Sequence, residues 1–210
     1  MKQQITQQLL SAADRLRRKG LFGRSDDSLS MRIPGSNELL WVHSSELTPQ
    51  TASLTEAHGM SGLHAAIYHH RTDAGALLFG TTVWSEQMAV LKLAPPTLFD
   101  ESARHIGPVA APVNTGDRDS LLKAIGRQSN AAIYGSQFLR IGMTADRVIF
   151  NAELFEKCAV AFVIARSSGQ RIRTVPGWVR WIAGGRLQKD QRRAAESFAT
   201  GRIPQGMNAY

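Results

Sequence analysis

The sequence predicts an α/β domain in which helices pack on a mixed or antiparallel sheet. Segments with apolar residues at helical spacing are interspersed with short runs that alternate or are wholly apolar, as strands do. The two kinds follow one another without the strict strand–helix alternation of a parallel sheet. The 210-residue chain is 43% hydrophobic and 20% charged, a balance that suits a globular protein with a substantial core.

Residues 3–19 place Ile5, Leu9, Leu10, Ala13 and Leu16 on one helical face, and Gly20 ends the helix. Residues 28–33 alternate apolar and polar, residues 34–37 (PGSN) form a turn, and residues 38–43 form a second strand, giving a hairpin. Residues 48–61 are polar and irregular. A helix over 62–70 leads to a buried strand over 75–81, where GALLFG is continuously apolar. Another helix spans 84–93 and is broken by Pro95 and Pro96. Residues 107–113 carry two prolines and suit an edge or irregular strand. Asp117 caps a helix to about Gly126, and residues 131–142 read as two strands with a turn. Thr144 caps a long helix to about Ser168, with Val148, Ala152, Phe155, Ala159 and Phe162 on one face. Proline and glycine break residues 174–185 on both sides, and a short polar helix follows over 188–199.

Charge divides the chain. Residues 166–210 hold nine Lys/Arg against two Asp/Glu, a net of +7, while residues 1–165 hold sixteen against fifteen, a net of +1. A basic tail of this kind suits nucleic acid, an anionic membrane surface or an acidic partner, although a solvated surface explains it more simply. Trp178 and Trp181 share a face if their segment is helical, with Ile182 extending it. Exposed, that face is an interfacial membrane anchor. Covered, it packs on the body or on a neighbouring subunit. The single cysteine, Cys158, lies in an apolar helical pattern and reads as a packed thiol. Residues 1–10 lack a signal-peptide core, and no apolar run reaches the roughly 18 residues of a membrane span, so a cytoplasmic location is expected.

The chain has no nucleophile elbow, P-loop or dinucleotide fingerprint. His64, His69 and His70 lack the i,i+4 spacing of a helical ligand pair, and the polar pair Glu56 and His58 is the best remaining alternative. Glu101 and His105 are four apart and suit an acid/base pair or, more simply, a surface ion pair. Asn114, Thr115 and Gly116 open a helix whose free N–H groups suit an anion, in competition with Asp117 as cap. Arg32 and Arg71 can each present a bidentate fork to an anion, and Arg71 with Asp73 also suits an internal pair at the helix-to-strand turn.

Tyr68, Arg71 and Asp73 end the helix that precedes the buried strand. This segment resembles the core of the class II aldolase/adducin family, where Tyr-x-x-Arg-x-Asp leads into a strand carrying His-x-His. Ser30 and Arg32 match the family's Gly-Asn-x-Ser-x-Arg strand, but Asp27 and Ser28 replace its Gly-Asn pair. The ordered set continues through the loop at 113–116, the strand at 131–134 and the helix around 156–159. The resemblance implies a three-layer αβα domain over 1–168, with a mixed, largely antiparallel sheet, and a basic extension over 169–210. It also implies a homo-oligomer.

In typical members three histidines hold a divalent metal that stabilises an enediolate, and a glutamate moves the proton. The matching positions here are Phe79, Thr81 and Ser136 or Gln137, with Met60 at the glutamate. The expectation is therefore a degenerate site with no cofactor, in a non-catalytic binding or scaffold protein whose partner is a protein or an anionic small molecule. The adducin branch uses the fold without aldolase chemistry. The alternative is an aldolase-like carbon–carbon lyase on a small polar or aromatic carbonyl substrate, with His64, Tyr68 and Arg71 as catalytic candidates.

Overall fold

Strand patterning decides which side chains meet which layer. In the computed structural model, which describes residues 1–169 and 171–205, the elements run α1 (Lys2–Arg18), β1 (Ser28–Arg32), β2 (Glu38–His43), β3 (Gln50–Ser53), α2 (Gly59–His70), β4 (Ala76–Gly80) and α3 (Val83–Leu91). They continue with α4 (Asp100–His105), α5 (Arg118–Ile125), β5 (Ala131–Tyr134), β6 (Gln137–Gly142), α6 (Ala145–Ser167) and α7 (Gly177–Ala199). The strands form one sheet in the order β3-β2-β1-β4-β6-β5. Every ladder between these strands is antiparallel, and a lone parallel bridge joins Val113 to Tyr134.

Successive residues of a strand face opposite sides of the sheet. Leu29, Met31, Leu40, Val42, Ala76 and Leu78 pack with α1 and the first half of α6. Leu39, Leu77, Phe79, Leu139 and Ile141 face the other way, against α2 and α5. The far end of the first face is completed by Ala131, Ile133 and Phe138, under α3, α4 and the rest of α6. The result is three layers with the sheet in the middle. The caps expected at Thr144 and Asp117 are present, accepting from the Arg147 and Ser120 amides respectively.

Three segments differ from the sequence reading. Residues 50–53 form the edge strand β3 rather than irregular chain; an edge strand pairs on one side only and needs no apolar pattern. Residues 107–113 contribute only the Val113 bridge, because Pro108 and Pro112 each remove a ladder donor. The piece expected to break near Gly184 and Gly185 is one continuous 23-residue helix, α7. Its Ala183, Leu187, Gln191 and Ala194 are buried against the body, which outweighs the roughly 1 kcal/mol that each glycine costs a helix. Asp190 pairs with Arg104 of α4 at 2.5 Å, and Phe198 lies against the Arg32 guanidinium at 5.1 Å. Helix α7 thereby covers the sheet end formed by the start of β4, the start of β5 and the end of β6.

Candidate functional site

The opposite end of the sheet, at Phe79–Gly80 of β4, holds the positions that the resemblance equates with metal ligands. Register places His43, Ser28, Phe79, Leu139 and Ala132 in one row across five strands, on the face covered by α2 and α5. Phe79 is wholly buried and meets the rings of His64 at 5.1 Å and Tyr134 at 6.0 Å edge-on. The Thr81 amide donates to Asp27 Oδ1 at 2.7 Å, while Asp27 Oδ2 accepts from the Gly23 and Arg24 amides. The Gln137 amide nitrogen donates to the Asp26 carbonyl at 2.9 Å. Thr81 and Gln137 are thus gathered by the Asp26–Asp27 turn. Gly80 fits here because a Cβ would stand 2.6 Å from the Leu21 carbonyl oxygen and 3.1 Å from Arg140 Nη1.

His64 and Tyr68 are brought together one helical turn apart on α2, over β1. His64 Nε2 is hydrogen-bonded to Ser28 Oγ at 2.8 Å, and its Nδ1 to Ser30 Oγ at 2.7 Å. Ser30 Oγ also lies 2.9 Å from the Tyr68 hydroxyl. Burial holds the His64 pKa down at about 3, and nearby His43 adds to the effect, so His64 is neutral. Burial likewise raises Tyr68 far above the ordinary phenol value. With 0% exposure for both, this is a closed hydrogen-bonded core. Residue spacing alone missed Ser28 and Ser30 as parts of it: the alternation of β1 marks them as the polar face, and only the docking of α2 covers that face. The buried Nδ1 of His43, across from Ser28, has no hydrogen-bond partner.

Arg71 lies apart from that core, at the α7 end. Its Nε and Nη2 make a bidentate pair with Asp73, both at 2.8 Å. Nη1 donates to the Ser129 carbonyl and Nη2 to Asn130 Oδ1 at 2.7 Å, and Gln191 of α7 donates to the same Asn130 oxygen. Arg32 donates to the Tyr68 carbonyl at 3.1 Å and the Thr72 carbonyl at 2.9 Å, with its guanidinium between the Tyr68 and Phe198 rings. Both arginine forks are therefore directed at the protein itself.

The loop at 114–116 is exposed. The Gly116 amide donates to the Tyr134 hydroxyl at 2.6 Å, and Asp117 Oδ1 accepts from the Ser120 amide at 3.0 Å. Glu101 and His105 do not pair with each other: Glu101 meets Lys157 at 3.4 Å, and His105 Nδ1 meets Arg147. Cys158 is a buried thiol whose pKa burial raises to about 11. A further buried charge escaped the sequence reading. Arg140 on β6 is wholly buried, donates through Nη1 to the Gly80 and Phe138 carbonyls, and approaches Glu156 of α6 at 3.6 Å. Its Nε and Nη2 have no hydrogen-bond partner, and burial lowers its pKa to about 10. An arginine inside an otherwise apolar strand was its only signal.

No protein-family description and no curated protein matches the chain by sequence. Its structure does match solved ones. It is similar to an L-fuculose 1-phosphate aldolase with a TM-score of 0.76 at 15% identity, over 88% of this chain and 96% of that one. It is similar to the L-fuculose 1-phosphate aldolase from Glaciozyma antarctica PI12, with a TM-score of 0.71 at 14% identity, over 93% of this chain and 88% of that one. It is also similar to an aldolase II superfamily protein from Pseudomonas syringae, with a TM-score of 0.66 at 16% identity, over 96% and 95%. The architecture is that of an α/β protein with helices on both faces of an antiparallel sheet. More particularly, it is the class II aldolase fold.

Two of the side chains at the positions that the resemblance equates with metal ligands do not suit a divalent ion. Phe79 has no lone pair to give, and the Gln137 side chain is tied to the Asp26 carbonyl. Among the described residues, no group of three or more His, Cys, Asp and Glu is placed to hold a metal.

Proposed function

We propose that this chain is a divergent class II aldolase-fold protein that has lost the ancestral metal site and serves as a non-catalytic binding or scaffold protein. The observation that carries this reading is the state of Phe79. Where the resemblance expects a metal-binding histidine, a buried aromatic ring packs on His64 and Tyr134 and fills the space under α2. Supporting it, Met60 stands at the position of the proton-moving glutamate and packs against the same apolar cluster. The lyase alternative draws no support from its candidates, because His64, Tyr68 and Arg71 are at most 1% exposed and hydrogen-bonded internally. A homo-oligomer, with a protein or small anion as ligand, remains part of the proposal, and sedimentation velocity tests the first of these.

The test of the main reading is metal content. Protein purified without chelator, loaded with Zn, Mn and Co and dialysed against metal-free buffer is analysed by elemental mass spectrometry. The expected result is far less than one ion per chain, together with no retro-aldol cleavage of sugar phosphates. A stoichiometric ion that survives dialysis, or metal-dependent cleavage, overturns the reading.

A further inference from the structure

We infer that the first turns of α7 form a peripheral docking site for an anionic membrane surface. This is independent of the reading of the sheet-end site. The inner face of α7 is occupied by Ala183, Leu187 and Ala194 against the body. Residues three and four apart share a helical face, so Trp178, Trp181 and Ile182 project together on the outer side. They are 69%, 79% and 44% exposed, high values for residues of this size and apolarity. Two indoles and an aliphatic side chain standing proud on a rigid helix match the chemistry of a bilayer interface, where tryptophan concentrates and apolar groups sink into the acyl boundary. Among the described residues no helix is long and apolar enough to cross a membrane, so the contact is peripheral.

Charge identifies the surface as anionic. From Lys157 to Lys189 the sequence contains seven Lys/Arg and no Asp or Glu. Arg166, Arg171, Arg173, Arg180 and Arg186 are exposed, and none has an ion-pair partner among the described residues. The same pattern disfavours a second copy as occupant. A two-fold contact through this patch sets unpaired guanidiniums against their own copies, and like charges across an interface are repulsive. A nucleic acid satisfies the guanidiniums and can stack on the indoles, but it leaves Ile182 without an apolar counterpart.

The experiment uses the full chain and vesicles of phosphatidylcholine alone or mixed with phosphatidylserine. Flotation measures binding, and quenching of tryptophan fluorescence by brominated lipid reports insertion. Binding is expected to be about tenfold tighter or more with phosphatidylserine and to weaken steeply with salt. Replacing both indoles (Trp178→Ala with Trp181→Ala) is expected to weaken it about tenfold and to abolish the quenching, leaving Trp41 and Trp84 unaffected. Arg173→Gln with Arg180→Gln weakens only the phosphatidylserine-dependent part. These residues are exposed, and an unchanged circular dichroism spectrum shows that the variants fold. Absence of binding to any vesicle at low salt overturns the proposal, as does binding that survives the double tryptophan change. A dimer dissolved by that change assigns the patch to a second copy and overturns it too. So does an oligonucleotide that binds and quenches both indoles while vesicles do not.

Discussion

The two ends of the sheet each bury an arginine completely, and they treat it differently. At the α7 end, Arg71 spends its fork on both Asp73 oxygens and its remaining donors on Ser129 and Asn130. At the opposite end, Arg140 has two carbonyl acceptors, a loose approach to Glu156 and two nitrogens with no hydrogen-bond partner. A buried charge is tolerated when its geometry is closed, and otherwise its desolvation goes uncompensated. Arg140 lies at the end of the sheet that also holds Phe79, Thr81 and Gln137. The difference lies in the two arginines themselves: Arg71 has every donor group engaged, and Arg140 does not.

The sharpest way to break the comparison is to remove each arginine in turn. Arg71→Met strands Asp73, whose side chain is 9% exposed, and is expected to cost about 3–5 kcal/mol in urea unfolding. Adding Asp73→Leu should recover part of that loss, because the stranded charge goes with its partner. Arg140→Met should cost less, below about 2 kcal/mol, since it removes two unpaired nitrogens and leaves Glu156 at 19% exposure within reach of water. Equal losses for the two arginines would erase the distinction between the ends.

The α2 core sharpens the comparison through pH. His64 is held near a pKa of about 3, below its ordinary 6.5, so the unfolded chain binds the extra proton. Stability from this group is complete above about pH 6.5 and is lost as pH falls towards 3, by at most about 1.4 kcal/mol per pH unit. His105, lowered to about 4 by burial and then by Arg147, adds a second contribution of the same sign. A His64→Gln variant, whatever its absolute stability, should show a shallower decline between pH 6 and 4 in chemical unfolding. An unchanged slope would mean that His64 titrates normally. The smallest effect is expected at the exposed Lys2–Glu38 pair, 3.1 Å apart, where Lys2→Ala should change stability by less than about 0.5 kcal/mol.

Much of the fold was legible in the sequence, for identifiable reasons. The wholly apolar β4, the capped helices α5 and α6 and the β1–β2 hairpin follow from period, cap and turn chemistry that act within a few residues. The edge strand β3 and the continuity of α7 were not legible, because each depends on a neighbour distant in sequence. The candidate residues were legible as residue types only. Arg71 with Asp73 was readable as a local pair, whereas the partners Ser129 and Asn130 lie more than fifty residues away, with sequence separations of 58 and 59.

The sequence by itself determined the order of most elements, the resemblance to the class II aldolase fold and the absence of histidine from positions 79 and 81. These depend on residue identity and short-range pattern. Tertiary structure alone decided that Ser28 and Ser30 are buried against His64, that Arg140 sits in the core, and that Trp178 and Trp181 face outward rather than onto the body. A serine on an alternating strand or a tryptophan on a helix carries no mark of what will cover it. Burial is set by which elements dock, and docking is a property of the whole chain.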